Sequence, residues 1–457
     1  MFHENNVVKD IKIAYIGGGS RGWAWTLMND LKKATDISGT VLLYDIDYEA
    51  AVNNEIIGNK IDGENWIYCA VKTIDQALTG ADFVIVSIMP GTFDEMEADV
   101  HLPEKYGIWQ SVGDTAGAGG FIRALRTVPM MRKIAAAVRE FCPRATVINF
   151  TNPMAVCIGA LYREFPEIRA YGCCHEVFGT QTLLSHALLE MEGIEATRQE
   201  ISVNVVGVNH FTWFTSARYK NIDLFPVYER FIEKFYETGY NREGLGNWMN
   251  NSFRNNARVR MDLFRRFGFV AAAGDRHLAE FMDTEDYLRD PEYVKQWMFG
   301  LTPVSWRKNN LQERLARSQR LVSGEEVYRL HNTGEEGAQQ IRALVGLGDM
   351  VTNVNIPNIG QIPNLPLGAI VETNAVFRSD GFKPVCAGDV PERIYPMIRR
   401  ALNENGYMLD AAFSLDFGFA FEKFCRLNML KALTKAQKKQ LFQEMIQGTK
   451  GYLKDYR

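Results

Sequence analysis

The chain predicts an α/β fold: a Rossmann-like, doubly wound parallel sheet followed by a C-terminal α+β domain. Three observations carry that expectation. Apolar strand-like runs alternate with helix-period segments through the first 190 residues, the pattern of successive βαβ units. The first of those runs empties into glycines at GxGxxG spacing. Beyond about residue 195 the alternation stops, giving way to the strand run Ile201–Val206 and to long aromatic-rich helical segments. The expected division is therefore 1–195, a dinucleotide-binding domain, and 196–457, a substrate and catalytic domain.

The first element reads Lys12-Ile13-Ala14-Tyr15-Ile16-Gly17-Gly18-Gly19-Ser20-Arg21-Gly22, a strand and a tight turn, with a helix from Trp23. Gly17, Gly19 and Gly22 stand where glycine permits a sharp turn, close approach to a pyrophosphate, and packing of helix on strand. Unpaired N–H groups at the helix start favour the phosphate. A second strand, Val41-Leu42-Leu43-Tyr44, ends in Asp45, which can accept from ribose hydroxyls and so favours NAD over NADP. A glycine turn beside a surface aspartate is the plainer alternative. The order of strand, glycines, helix, strand and acid argues against it.

Composition excludes other classes. Lys plus Arg, 51, nearly balances Asp plus Glu, 55, for a net charge of -4, so no electrostatic footprint points to nucleic acid or a membrane surface. No apolar run approaches the roughly 20 residues of a membrane span, and the polar start Met1–Asn6 does not read as a signal peptide. Seven scattered cysteines fit a reducing compartment better than a disulfide framework, so a cytoplasmic protein is expected.

Further strand-like runs follow at Phe83–Ser87, Thr146–Asn149 and Ala170–Cys173. Phe121, Leu125, Val128, Ala135, Val138 and Phe141 recur at helical spacing from Gly120 onward, and Pro129 inside that helix predicts a kink. Ligands of such sheets collect beyond the carboxyl ends of the strands, where this chain places Asn149, Asn152, Cys174 and His175. Asn353–Gln361 reads as a long polar loop that either returns to the cleft or crosses the surface. The final residues, from about Met408, read as surface helices with Lys-rich turns.

Three constellations carry chemistry. Cys173-Cys174-His175-Glu176 and Asn209-His210 each follow a strand-like run, and a thiolate with an imidazole suits a borderline transition metal while leaving positions open for substrate oxygens. A core cysteine is the alternative. Gly113-Asp114-Thr115-Ala116-Gly117-Ala118-Gly119-Gly120 is either a ligand-facing loop or a connector into the helix that carries Arg123 and Arg126. Gly274-Asp275-Arg276-His277 crowds an acid, a fixed cation and a base after an apolar run, although a solvated charge cluster has the same composition.

Together these motifs resemble glycoside hydrolase family 4, the NAD- and manganese-dependent glycosidases. The resemblance spans nearly the whole chain: Ile16–Ser20, Gly113–Pro129, Asn149-Phe150-Thr151-Asn152-Pro153, Cys174-His175-Glu176, Asn209-His210, Gly274-Asp275 and Asn353-Val354-Asn355. The run Cys174–Gln181 is similar to the subgroup acting on unphosphorylated α-glycosides, which includes α-galacturonidase and α-glucosidase members. What the resemblance implies is redox-assisted elimination rather than displacement between two carboxylates. The sugar's C3 hydroxyl is oxidised by NAD, the C2 proton is removed, the C1 group departs, water adds, and the hydride returns. On that basis Cys174 and His210 are the expected metal ligands and Asp275 the base. His175 is the expected leaving-group acid and Asn152 a substrate contact, unless Asn152 caps the helix after Pro153. Asp114 stands where relatives often carry Glu. The resemblance also implies a homo-oligomer, dimer or tetramer.

Substrate choice rests on a gap in the sequence. Between Ser87 and Asp99, where phospho-glycosidase relatives carry basic residues, this chain has no Lys or Arg. A carboxylate needs a smaller anion site than a phosphate, and one guanidinium clamps it bidentately, so Arg276 is the expected reader of a galacturonide. An α-glucosidase or α-glucuronidase is the second expectation. An NAD-dependent hydroxy-acid dehydrogenase explains the first 150 residues but not a cysteine–histidine pair, and an inactive NAD-binding sensor explains no catalytic residues.

Overall fold

In the computed structural model, residues 1–4, 6–241 and 255–457 are described. Among them, ten strands form one large sheet: β1 (Phe2–Glu4), β2 (Val7–Ile16), β3 (Ile37–Tyr44), β4 (Trp66–Val71), β5 (Phe83–Val86), β6 (Thr146–Asn149) and β7 (Arg169–Gly172), with β12 (Met350–Pro357), β13 (Ile370–Arg378) and β14 (Gly381–Pro384). The order is β14-β13-β12-β7-β6-β5-β2-β3-β4, with β1 beside β2. The six strands β2 to β7 are parallel, with Ile13 opposite both Val41 and Phe83. Strand order reverses between β2 and β5, the point at which such sheets open a crevice beyond their carboxyl ends.

The expectation of a Rossmann-like sheet holds, and the C-terminal half does more than cover it. β12 joins the edge antiparallel to β7, with Asn355 opposite Gly172. Residues 353–357, expected in a loop, thus lie in a strand whose residues Thr352 to Ile356 are all buried in the sheet's extension. A polar run misleads here because its buried Asn side chains find partners: Asn353 Nδ2 donates to Cys174 O at 3.1 Å and to Glu372 Oε1 at 2.6 Å.

One face of the sheet is covered by the helices Gly117–Phe141 and Met154–Glu164 and by C-terminal helices including Tyr395–Ser414 and Lys435–Thr449. Leu441, Phe442 and Met445 sit in that core, so the final helix is amphipathic rather than purely superficial. The opposite face carries the helices Trp23–Lys33 and Gly337–Leu344. Both cores draw residues from both sides of position 195. The helix Gly117–Phe141 runs unbroken through Pro129.

A second sheet holds β8 (Ile201–Val208), β9 (Phe211–Tyr219), β10 (Ile222–Asp223) and β11 (Val270–Ala271). β8 and β9 form a hairpin that pairs Val208 with Phe211, leaving Asn209 and His210 as its turn. Among the described residues no helix is long and apolar enough to cross a membrane. All seven cysteines are free thiols.

Candidate active site

The glycine turn is shaped by close contacts that only glycine permits. Gly17 has φ +94°, and a Cβ there would lie 2.1 Å from Ser87 O; one on Gly19 would meet Ala50 Cβ at 2.6 Å and Asp45 Oδ2 at 2.9 Å. Gly17 N and Gly18 N both donate to Tyr44 O at 2.9 Å. Asp45 accepts from Gly19 N at 2.9 Å and Asp47 N at 3.0 Å, so it braces the turn and keeps further lone pairs for a ligand. Gly22 caps the helix Trp23–Lys33, whose first-turn amides have no intrahelical acceptor. The cradle fits a dinucleotide pyrophosphate. Sequence reading missed two supports: Asn54 Nδ2 donates to Gly18 O at 2.7 Å, and Arg314, from the helix Val304–Ser323, lies where a Gly22 side chain would point.

Trp23 borders a cavity of about 340 Å³ that is also lined by Asp114, Asn152, Cys174, His175, His210 and Arg276. Of the eleven residues expected at the site, these six surround one space, Gly17, Gly19, Gly22 and Asp45 form the turn, and Asp275 lies apart from both. Cys174 follows β7, and its carbonyl is held by Asn353. Burial, with Glu372 and Glu176 nearby, pushes its thiol well above the ordinary range, so ligation must displace a proton. His210 occupies the hairpin turn at φ +63°, an uncommon conformation for a non-glycine residue. Burial lowers its pKa to about 3, leaving a neutral imidazole, the form that binds metals.

Thr115 fixes which ring nitrogen is available. Its hydroxyl lies 2.7 Å from Asp114 Oδ1 and 3.1 Å from His210 Nδ1. One hydroxyl proton cannot serve both, and the carboxylate can only accept, so His210 Nδ1–H donates to Thr115 and Nε2 keeps its lone pair. Among the described residues no three His, Cys, Asp or Glu side chains form a closed metal cage. A two-donor arrangement of thiolate and imidazole fits a catalytic metal that completes its shell with substrate oxygens and water.

Charge around the cavity is balanced by contact. Burial disfavours ionisation of Asp114, but Arg123, His277 and His210 outweigh it and hold the carboxyl below its usual range. Glu176 behaves alike: burial is overcome by His277, His210 and His175, and its pKa falls to about 2. His175 is opposed by burial too, yet the hydrogen bond and charge of Glu335, 3.2 Å from Nδ1, raise it to about 9. It therefore carries a proton at neutral pH. Asn152 Oδ1 is buried without a partner, and the helix Met154–Glu164 is capped at Pro153 without a side-chain bond, so capping does not occupy Asn152.

Two of the expected residues have their polar atoms engaged elsewhere in the protein. Asp275 is fully buried, and its carboxylate accepts from Val259 N at 3.1 Å and pairs with Arg260 Nε at 3.3 Å. It points at the start of the helix Arg258–Phe267 and does not line the cavity. Arg276 does line the cavity, but its Nε donates to Gly300 O and its Nη2 to Ser111 O and Thr302 Oγ1, so it stitches loops together rather than presenting an open fork. His277 and Arg307, neither of them among the expected site residues, also line the cavity. His277 Nε2 lies 3.5 Å from Glu176 Oε1, its ring centroid is 3.9 Å from that of His210, and its Nδ1 is buried without a partner. His277 stood in the quoted acid–cation–base run; Arg307, in the first turn of the polar helix Val304–Ser323, gave no signal.

A family model described as Family 4 glycosyl hydrolase matches residues 12–190, and one described as Family 4 glycosyl hydrolase C-terminal domain matches 205–426. The chain is 57% identical to an alpha-galacturonidase of Thermoanaerobacterium saccharolyticum, over 99% of this chain and 98% of that protein. It is 48% identical to an alpha-galacturonidase of Bacillus subtilis, over 98% and 99%. The solved structure of the Bacillus subtilis protein lplD matches with a TM-score of 0.92 at 48% identity, over 96% of this chain and 100% of that one. At 19% identity, a 6-phospho-alpha-glucosidase from gut microorganisms, solved with NAD and Mn²⁺, shares the fold with a TM-score of 0.80, over 97% of this chain and 99% of that one.

Proposed function

This chain belongs to the family 4 glycosyl hydrolases, and from that premise we propose that it is an α-galacturonidase that uses NAD and a divalent metal such as Mn²⁺. The observation that carries the reading is a cavity of about 340 Å³ bordered by the start of the helix after the glycine turn, by Cys174 and His210, and by the cations Arg276 and Arg307. Relatives named alpha-galacturonidase at 48–57% identity over nearly their full length supply the substrate class.

When bound, NAD supplies a reversible hydride acceptor for the sugar's C3 and the metal polarises the C2 and C3 oxygens, which together acidify the C2 proton. The chain's own residues do the rest. Cys174 Sγ and His210 Nε2 would hold the metal, with Thr115 and Asp114 fixing the imidazole. His277 takes the C2 proton in place of Asp275: its Nε2 faces Glu176, leaving the unpartnered Nδ1 to accept. The charged His175, backed by Glu335, protonates the leaving oxygen. Arg307 reads the C6 carboxylate, a task for which the guanidinium of Arg276 is already committed. Asn152 contacts the sugar.

We extend the reading to a homo-oligomer in the cytoplasm, in keeping with the free thiols. The division at residue 195 we keep as one of function, cofactor before it and substrate after it.

The test is a screen of aryl α-galacturonide, glucuronide, glucoside and galactoside with NAD, Mn²⁺ and a reductant. The galacturonide should give the highest kcat/KM, with activity lost on chelation or cofactor stripping, restored on replacement, and no NADH accumulating. A faster neutral glucoside would overturn the substrate, and activity surviving both removals would overturn the mechanism.

A further inference from the structure

A second cavity, about 630 Å³ and larger than the first, opens among the C-terminal helices, away from every residue placed in the catalytic site. Its lining holds five cations, Arg399, Arg400, Arg426, Lys431 and Lys438, against one carboxylate, Glu404. In a chain whose net charge is -4, that concentration of positive charge runs against the composition. Glu404 is already used: its Oε1 accepts from Asn428 N at 2.8 Å.

Some of the cations are also committed. Arg400 Nη2 donates to Phe281 O at 2.6 Å, Lys431 pairs with Asp283 at 2.7 Å, and Lys438 donates to Cys425 O at 3.0 Å. The guanidiniums of Arg399 and Arg426 make no ion pair or hydrogen bond among the described residues, and that of Arg426 rests over the Tyr407 ring at 5.8 Å. Two guanidiniums in the wall of a cavity whose one carboxylate, Glu404, is taken up by Asn428 N repel each other and attract small anions. Their planar forks match carboxylates, and the rings of Tyr395 and Tyr407 in the same wall offer flat faces to a sugar ring.

We propose that this cavity is a second saccharide site, binding an acidic oligosaccharide of about two uronate units through Arg399 and Arg426. The volume lies within the range that encloses a small-molecule ligand. The choice of a uronate rests on the galacturonide reading above; the anion site itself does not. Its floor is joined through Arg400 and Phe281 O to the end of the helix Asp275–Phe281, which carries Arg276 and His277 toward the catalytic cavity.

The test is calorimetric titration of the full-length holoenzyme loaded with NADH and Mn²⁺, which cannot begin C3 oxidation, with α-1,4-digalacturonate. Two binding events are expected. The double variant Arg399→Gln/Arg426→Gln should keep one event at wild-type affinity and weaken the other about 10- to 100-fold, with aryl galacturonide turnover under NAD unchanged. A single event in the wild-type protein, or two events untouched by the double variant, would overturn the proposal. Inorganic phosphate competing as well as digalacturonate for the second event would overturn the saccharide class. Absence of aryl galacturonide turnover in the NAD-loaded wild-type enzyme would strike the catalytic reading instead, a result read separately from the binding events.

Discussion

The glycine turn at Gly17–Gly22, which leads to the cavity-lining Trp23, and the helix start at Gly274–Glu280, which places Gly274, Arg276 and His277 at the same cavity, are held by opposite means. In the turn, backbone dominates: Gly17 N and Gly18 N share Tyr44 O, Gly19 N meets Asp45, and no side chain could be added at Gly17 without striking Ser87 O. In the helix start, side chains dominate. Asp275 turns to Arg260, Arg276 to Ser111 and Thr302, His277 to Glu176, and Glu280 accepts from Val112 N and Gly113 N at 2.7 and 2.8 Å. Successive helical residues diverge by about 100°, so an acid, a cation and a base in sequence cannot all face one cavity. The lesson is that a backbone-built site tolerates no added atom, whereas a side-chain-built one divides its neighbours between chemistry and support.

The largest expected effect tests the first half of that contrast. Gly17→Ala forces a Cβ into Ser87 O at φ +94°, costing about 1–3 kcal/mol in backbone strain alone and displacing the turn. NAD titration should detect no binding by this variant; affinity within a few-fold of wild type would show that the turn is not the seat of the cofactor.

Next comes the division of labour in the helix start. His277→Gln should lower turnover by about 10² to 10⁴-fold while the protein melts normally. Asp275→Asn should do the reverse, because it leaves the Arg260 charge buried without its partner, at a cost of about 3–5 kcal/mol in stability. Denaturant unfolding and single-turnover rates on the folded fraction separate the two. Normal stability with lost turnover in Asp275→Asn would return the base to Asp275.

A smaller effect probes how the metal ligand is aimed. Thr115→Val removes the acceptor that sets the His210 tautomer, so Mn²⁺ affinity, followed by electron paramagnetic resonance, should fall about 10- to 100-fold. NAD affinity should not change. Unaltered Mn²⁺ binding would mean that His210 needs no second partner.

Legibility in the sequence followed the same physical divide. The strand, glycines and Asp45 were readable because their geometry is local, and Cys174, His175 and His210 because they sit at strand ends in recognisable runs. Residues 353–357 of the strand Met350–Pro357 read as loop because their Asn side chains look solvent-loving until partners at Cys174 O and Glu372 appear from distant parts of the chain. Arg307 was invisible for the same reason: only the packing of its helix across the cleft brings it to the cavity. The direction of Asp275 depends on Arg260, a residue that nothing in the local sequence marks as its partner.

Hydrolysis of an aryl α-galacturonide in deuterated water, with NAD and Mn²⁺ present, tests the central claim most directly. The released galacturonate, examined by mass spectrometry and proton resonance, should carry one deuterium at C2 with no net NADH formed. Galacturonate released with only hydrogen at C2 would contradict proton abstraction there, and with it the assignment of the NAD, Cys174, His210 and His277 constellation to this reaction.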